Sequence, residues 1–215
     1  MSQSTIEQSI LLAPNQKPAA AQMLTRAFQD DPLYARLIPN EPERLQCLNS
    51  LWEAIIHSCL LFGEVYTTPT LKGAACWTAP GQADMNVWQM LRSGFALPRV
   101  VMRYRPATRK RFLEVLAVME RVRHEVMQKN KYWYLWLLGV EPGYQGQGIG
   151  GMLLQPVLKK ADAAGLPCYL ETETERNVVF YRKHGFHVAR EETVAWLDQK
   201  IWMLRREPHN HQSEN

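Results

Sequence analysis

Apolar and polar positions alternate along this chain in two distinct rhythms. Ser9–Leu12 predicts a short first strand, and Asn15–Phe28 a helix with Ala19, Met23, Leu24 and Ala27 near one face, ended by Asp30, Asp31 and Pro32. Between Glu41 and Phe62, Leu45, Leu48, Leu51, Trp52, Ile55 and Ile56 recur at helical spacing. Its Glu-Pro start suits a first helical turn, where proline's missing N–H is not needed. Gly63 closes this helix, and Glu64–Thr68 with Gly73–Thr78 predict a strand pair around a turn containing Pro69. Two more helical stretches, Val87–Leu97 and Arg109–Val126, are separated by Pro98 and Pro106. A run from Tyr134 to Val140 then reads as a strand packed on both sides, with Trp136, Leu138 and Val140 on one face and Leu135, Leu137 and Gly139 on the other. After it the pattern predicts a helix over Gly148–Ala164, a strand over Leu166–Glu171 and a short helix from Arg176 or Asn177 to His184, stopped by Gly185. Strands at Phe186–Ala195 and Lys200–Arg205 complete a mixed α/β (α+β) chain.

Length and composition narrow the class. At 215 residues, 46% hydrophobic and 21% charged, the chain fits one domain over 1–207, with a helical insert at about 80–130 and a polar tail at 208–215. The net charge of +4 is mild, and no Lys/Arg block interleaved with aromatics points to nucleic acid. No apolar run reaches membrane-spanning length, and the N-terminal segment lacks a basic start followed by an apolar stretch. Cys47, Cys59, Cys76 and Cys168 lack CxxC spacing and fall in apolar segments, so they read as buried thiols of a cytoplasmic protein, with no metal site. His209 and His211 belong to the polar tail and are not read as ligands.

The chemistry concentrates at one junction. Gln145, Gly146, Gln147, Gly148, Ile149, Gly150 and Gly151 lie between the apolar strand and the next helix. Glycines there let main-chain N–H groups approach a ligand, and the positive end of the following helix favours a diphosphate. The same residues satisfy GxGxxG, but only 64 residues follow Gly151, too few for a doubly wound dinucleotide domain led by this turn. A Walker A loop fails because no Gly-Lys-Ser/Thr triplet follows.

Gln145-x-x-Gly148-x-Gly150, following Leu138-Gly139-Val140, resembles motif A of the GNAT superfamily of acetyltransferases. Leu170-Glu171-Thr172, Asn177-x-x-x-Tyr181 and Gly185-Phe186 follow in the order of that family's core, so the likeness runs over about 132–186. In motif it is nearest the subgroup that contains puromycin N-acetyltransferase. The resemblance implies a mixed, mainly antiparallel central sheet flanked by helices, acetyl-CoA as co-substrate, and transfer to the primary amine of a small molecule, with a resistance or detoxification role. It also implies that the main chain of Leu138, Gly139 and Val140 pairs with the pantetheine arm, that Asn177 holds it, and that Tyr181 is the general acid. An insert of some fifty residues before the central strand is atypical for the family, and is read either as added core or as a wall of the acceptor pocket.

The general base is not given by the motif, because the position where some members carry a glutamate is Tyr134. Glu171 is the replacement, since a part-buried carboxylate has a raised pKa. Asp30 and Asp31 are candidate contacts for a cationic acceptor. Glu173 and Glu175 read as solvated loop charges, and His184 as a cation at a helix end. A peptide or protein amine, or a non-catalytic acyl-CoA sensor, is the alternative reading, and the protein is expected to be a monomer or a homodimer.

Overall fold

The structure, a computed structural model, describes residues 8–84 and 86–209. Of the tail expected at 208–215, only Pro208 and His209 fall within the described residues. Seven strands form one sheet in the order β1-β2-β3-β4-β5-β7-β6. They are β1 (Ile10–Leu11), β2 (Gly63–Thr67), β3 (Gly73–Thr78), β4 (Trp133–Val140), β5 (Cys168–Thr172), β6 (His187–Val194) and β7 (Gln199–Arg206). Every neighbouring pair is antiparallel except β4 with β5.

Helices cover both faces, as the two separate apolar clusters require. On one face lie α1 (Lys17–Phe28), α2 (Pro32–Leu37), α3 (Glu41–Phe62) and the insert, built of α4 (Val87–Arg92), α5 (Ala96–Arg103) and α6 (Pro106–Met127). The apolar stripe of α3 is buried as its spacing predicts, with Trp52 and Ile56 fully covered. Each such side chain contributes roughly 1.5–3 kcal/mol by leaving water. On the other face lie α7 (Ile149–Ala164) and α8 (Glu175–Arg182).

Two sequence expectations change here. The stretch Val87–Leu97 is not one helix: Gly94 (φ 62°) and Phe95 (φ 57°) turn left-handed and end α4. Pro98 and Pro106 then stand in the first turns of α5 and α6 rather than between helices, where a missing N–H costs nothing.

The second correction concerns β4. Cys76 lies opposite Leu137 but Trp77 lies opposite Leu135, so Trp136 is an extra residue in the ladder, a β-bulge. The bulge shifts the alternation by one. Leu135 therefore joins Leu138 and Val140 on the α7 side, while Trp136 goes with Leu137 and the opposite core, contrary to the simple two-residue period. Gly139 is fitted to that same core: a Cβ there would lie 2.5 Å from the Leu24 side chain and 3.0 Å from Phe28 on α1.

The bulge coincides with the end of strand pairing. β4 and β5 are paired only over Trp133–Leu135 with Cys168–Leu170. Beyond that point β5 stays bonded to β7 through Thr172, while the 136–140 stretch of β4 keeps only its β3 partner. Bulges bend a strand and increase its twist, so two strands joined at one end part at the other.

Candidate active site

The parted strands open a cleft of about 770 Å³. One wall is the Leu138, Gly139 and Val140 stretch, along the edge that β5 has left, and a second is the glycine turn. Gly146 (φ 78°) and Gly148 (φ 82°) both adopt the left-handed conformation that side-chain-bearing residues avoid, and Gly148 is the N-cap of α7. Gln145, Gly146, Gly148, Ile149 and Gly150 line the cleft, so the unpaired first-turn N–H groups of α7 lie along it. The Gln145 Nε2 donates to the Val140 carbonyl at 3.1 Å, tying turn to strand. Two expected members are not among the walls. Gln147 faces back, its Nε2 3.5 Å from the Gly143 carbonyl, and Gly151 serves packing: a Cβ there would lie 2.8 Å from the His184 ring.

Opposite the turn stands α8. Thr174 caps it, accepting from the Asn177 N–H at 3.3 Å, and the Asn177 Nδ2 donates to Thr172 Oγ1 at 3.1 Å, which fixes the amide against the end of β5. Tyr181, one turn on, shares that face, and both line the cleft. Tyr181 is buried, and burial, then the nearby Glu173, push its phenol above the ordinary value, so it stays protonated. Arg176 and Lys183 stand on the rim, and Arg26 is held by Glu141 through two 2.8 Å bonds. His184 is not the helix-end cation expected: burial, with Arg206 and Lys183 nearby, lowers its pKa.

Asp30 and Asp31 complete the cleft from the loop before α2. Asp30 is exposed. Asp31 caps α2, accepting from the Leu33 N–H at 3.0 Å, and burial pushes its carboxyl up to about 6 against the pull of the Leu33 and Tyr34 amides.

A second cavity, a chamber of about 410 Å³, lies on the α3 side of the same strand ends. Glu171 and Glu173 both line it, because residues two apart on β5 and its extension share a face while Thr172 turns toward Asn177 on α8. Burial pushes the Glu171 carboxyl up to about 7, opposed by the Arg123 guanidinium and then by the phenols of Tyr134 and Tyr169. Its Oε1 and the Tyr169 hydroxyl are buried and have no hydrogen-bond partner of normal geometry among the described residues. Burial, then Asp31 and Glu171, raise Glu173 well above the ordinary carboxylate range. Glu173 is thus no solvated loop charge. The two-residue spacing from Glu171 was the available signal for it.

The insert contributes to both the chamber and its charge. Met90, Leu97, Val101, Phe112, Leu116 and Met119 line it, so this segment is a wall and not only added core. From α6 the buried Arg123 reaches Asp84 (Nη2 to Oδ1, 2.7 Å) and lies 5.0 Å from the centre of the Tyr134 ring. Nothing local in the sequence marks Arg123 or Tyr34, since their places depend on how α2 and α6 pack. The trio Asp84, Glu120 and His124, with ligand-type atoms within 4.8 Å of one another, is exposed, and Asp84 Oδ1 is already engaged by Arg123 and by His124 at 2.9 Å.

The family model of the Acetyltransferase (GNAT) domain matches residues 114–188, spanning α6 to the start of β6. An uncharacterized N-acetyltransferase of Schizosaccharomyces pombe is 31% identical over 203 residues, 91% of this chain and 81% of the relative. Among solved structures, one described as histone acetyltransferase HPA2 and related acetyltransferase from Corynebacterium glutamicum superposes with a TM-score of 0.66 at 19% identity, covering 96% of this chain and 98% of the other. Arylalkylamine N-acetyltransferase 2 from Aedes aegypti gives 0.65 at 11% identity, over 95% and 100%. At these identities the structures share a fold.

Proposed function

The chain belongs to the GNAT family of acetyltransferases, enzymes that use acetyl-CoA, and from that premise we propose that it acetylates the primary amine of a small molecule directly, in one ternary complex. The observation that carries this reading is that two cavities flank the parted ends of β4 and β5, walled by consecutive residues (Leu137 and Leu138, Glu173 and Thr174), with Tyr181 lining one and Glu171 the other. A glycine turn with two left-handed residues and a strand edge without a partner fit a diphosphate and an extended amide arm.

Acetyl-CoA, when bound, supplies the thioester whose acetyl group becomes the amide. The edge of β4 that β5 has left at Leu138–Val140 would offer a main-chain N–H to a developing negative oxygen, as a preorganised donor that needs no rearrangement. Glu171, with a carboxyl near 7, takes the proton of the incoming ammonium directly or through one water. Tyr181, its phenol protonated before the reaction, gives its proton to the departing sulfur, and the second proton lost by the nitrogen as the adduct collapses to the amide restores the phenol. Holding both reactants at the gap supplies much of the remaining acceleration.

The motif likeness to the puromycin N-acetyltransferase subgroup supports a detoxification role, and four free cysteines support a cytoplasmic setting. No described helix is long and apolar enough to cross a membrane. Thiol release from acetyl-CoA with a panel of amines tests the proposal: turnover with at least one small primary amine is expected, and acetyl-CoA binding without any turnover would favour the sensor reading.

A further inference from the structure

We infer that the acceptor is a monoamine carrying one compact apolar body, aryl or branched alkyl, and that the insert helices select it; this rests on the transferase reading above. Charge in the chamber is confined to one end. Among the described residues, the polar side chains that line it are Tyr34, Tyr134, Glu171 and Glu173, apart from the indoles of Trp52 and Trp136. Tyr34 feels the charge of Glu173, Asp31 and Glu171, and Tyr134 that of Glu171, so these groups form one cluster at the end of the chamber that Glu171 and Glu173 line. The rest of the wall is hydrocarbon and ring, with Leu97, Val101, Phe112, Leu116 and Met119 supplied by the insert.

The sign of the cluster picks the functional group. Glu173 is crowded by two further carboxyls, Asp31 and Glu171, and the cation that acts on Glu171, Arg123, is shared with Asp84. A single ammonium there relieves that repulsion, whereas an amino acid would bring a fourth carboxylate to it. A second ammonium further along the body would lie against hydrocarbon with no acceptor side chain, and an unpaired buried charge is strongly unfavourable. Polyamines and aminoglycosides are disfavoured on this ground.

Volume limits the body. At about 30 Å³ for a water-sized unit, 410 Å³ holds on the order of a dozen non-hydrogen atoms. An aryl-ethyl group fills that space, and a methyl or ethyl group leaves most of it to water with no polar wall to bind.

The experiment compares kcat/KM for 2-phenylethylamine, tryptamine, ethylamine, spermidine and a short peptide with a free N-terminus, using thiol release by the full chain. Burial of one ring predicts roughly a 100-fold preference for 2-phenylethylamine over ethylamine. Leu116→Trp, which fills the chamber, is expected to cut the ratio of the two kcat/KM values by at least tenfold; a ratio cancels general damage to folding or cofactor binding. Preference for ethylamine, spermidine or the peptide, or a ratio unmoved by Leu116→Trp, overturns the inference while leaving the transferase reading intact. Acetyl-CoA binding by calorimetry with no acetylation of any amine overturns both.

Discussion

Replacing Glu171 with glutamine should slow acetyl transfer and, above neutral pH, stabilise the fold. Burial holds this carboxyl at about 7 instead of the 4.5 it has in the unfolded chain. Below pH 4.5 the group is protonated in both states and costs nothing. As pH rises through 4.5 to 7 the unfolded chain ionises it readily and the folded chain does not, so folded stability falls across that window and levels off above it. At 1.36 kcal/mol per pH unit the loss is about 3 kcal/mol, an upper bound because the residue is half-buried and one side meets the open chamber. Glutamine cannot ionise, so the stability of the variant minus that of the parent should grow by up to about 3 kcal/mol between pH 4.5 and 8. For a chain of this size that is up to roughly 10 °C in Tm. Relief of the charge on Glu173 adds in the same direction. Urea or thermal unfolding of both proteins at several pH values measures the difference, and the same preparations should show kcat reduced by about 100-fold or more. A stability difference that stays constant from pH 4.5 to 8 would refute the argument that burial makes Glu171 a base near neutrality.

Three further outcomes follow from the same geometry. Tyr181→Phe should retain acetyl-CoA affinity by calorimetry and lose about 100-fold or more in kcat; full turnover would remove the phenol from the proton path. Arg123→Gln removes the cation that lowers the Glu171 carboxyl, so the acid limb of the kcat/KM profile should move to higher pH, and an unmoved limb would exclude electrostatic contact between them. Gly148→Ala, at a φ of 82°, should cost about 1–2 kcal/mol in stability and weaken acetyl-CoA binding, read from Tm and titration, although no atom obstructs the new methyl group.

Some of this protein was determined by its sequence alone, because the information is local. Left-handed glycines, an N-cap and residues four apart on a helix act on chain neighbours, so the turn at Gln145–Gly150 and the Asn177–Tyr181 pair were legible, and the structure brings them to one cleft. The amphipathic stripes of α1, α3 and α6 were legible for the same reason, and with them the sheet flanked by helices. The tertiary structure alone decided the bulge at Trp136, since an extra residue in a ladder exists only relative to Cys76 and Trp77 on β3. It also decided that Glu173 is crowded by Asp31, and that Arg123, 39 residues from its partner Asp84, looks onto Tyr134 and Glu171. Burial and Coulomb energy depend on separation in space, and segments far apart in the chain become neighbours only when the insert folds over the strand ends.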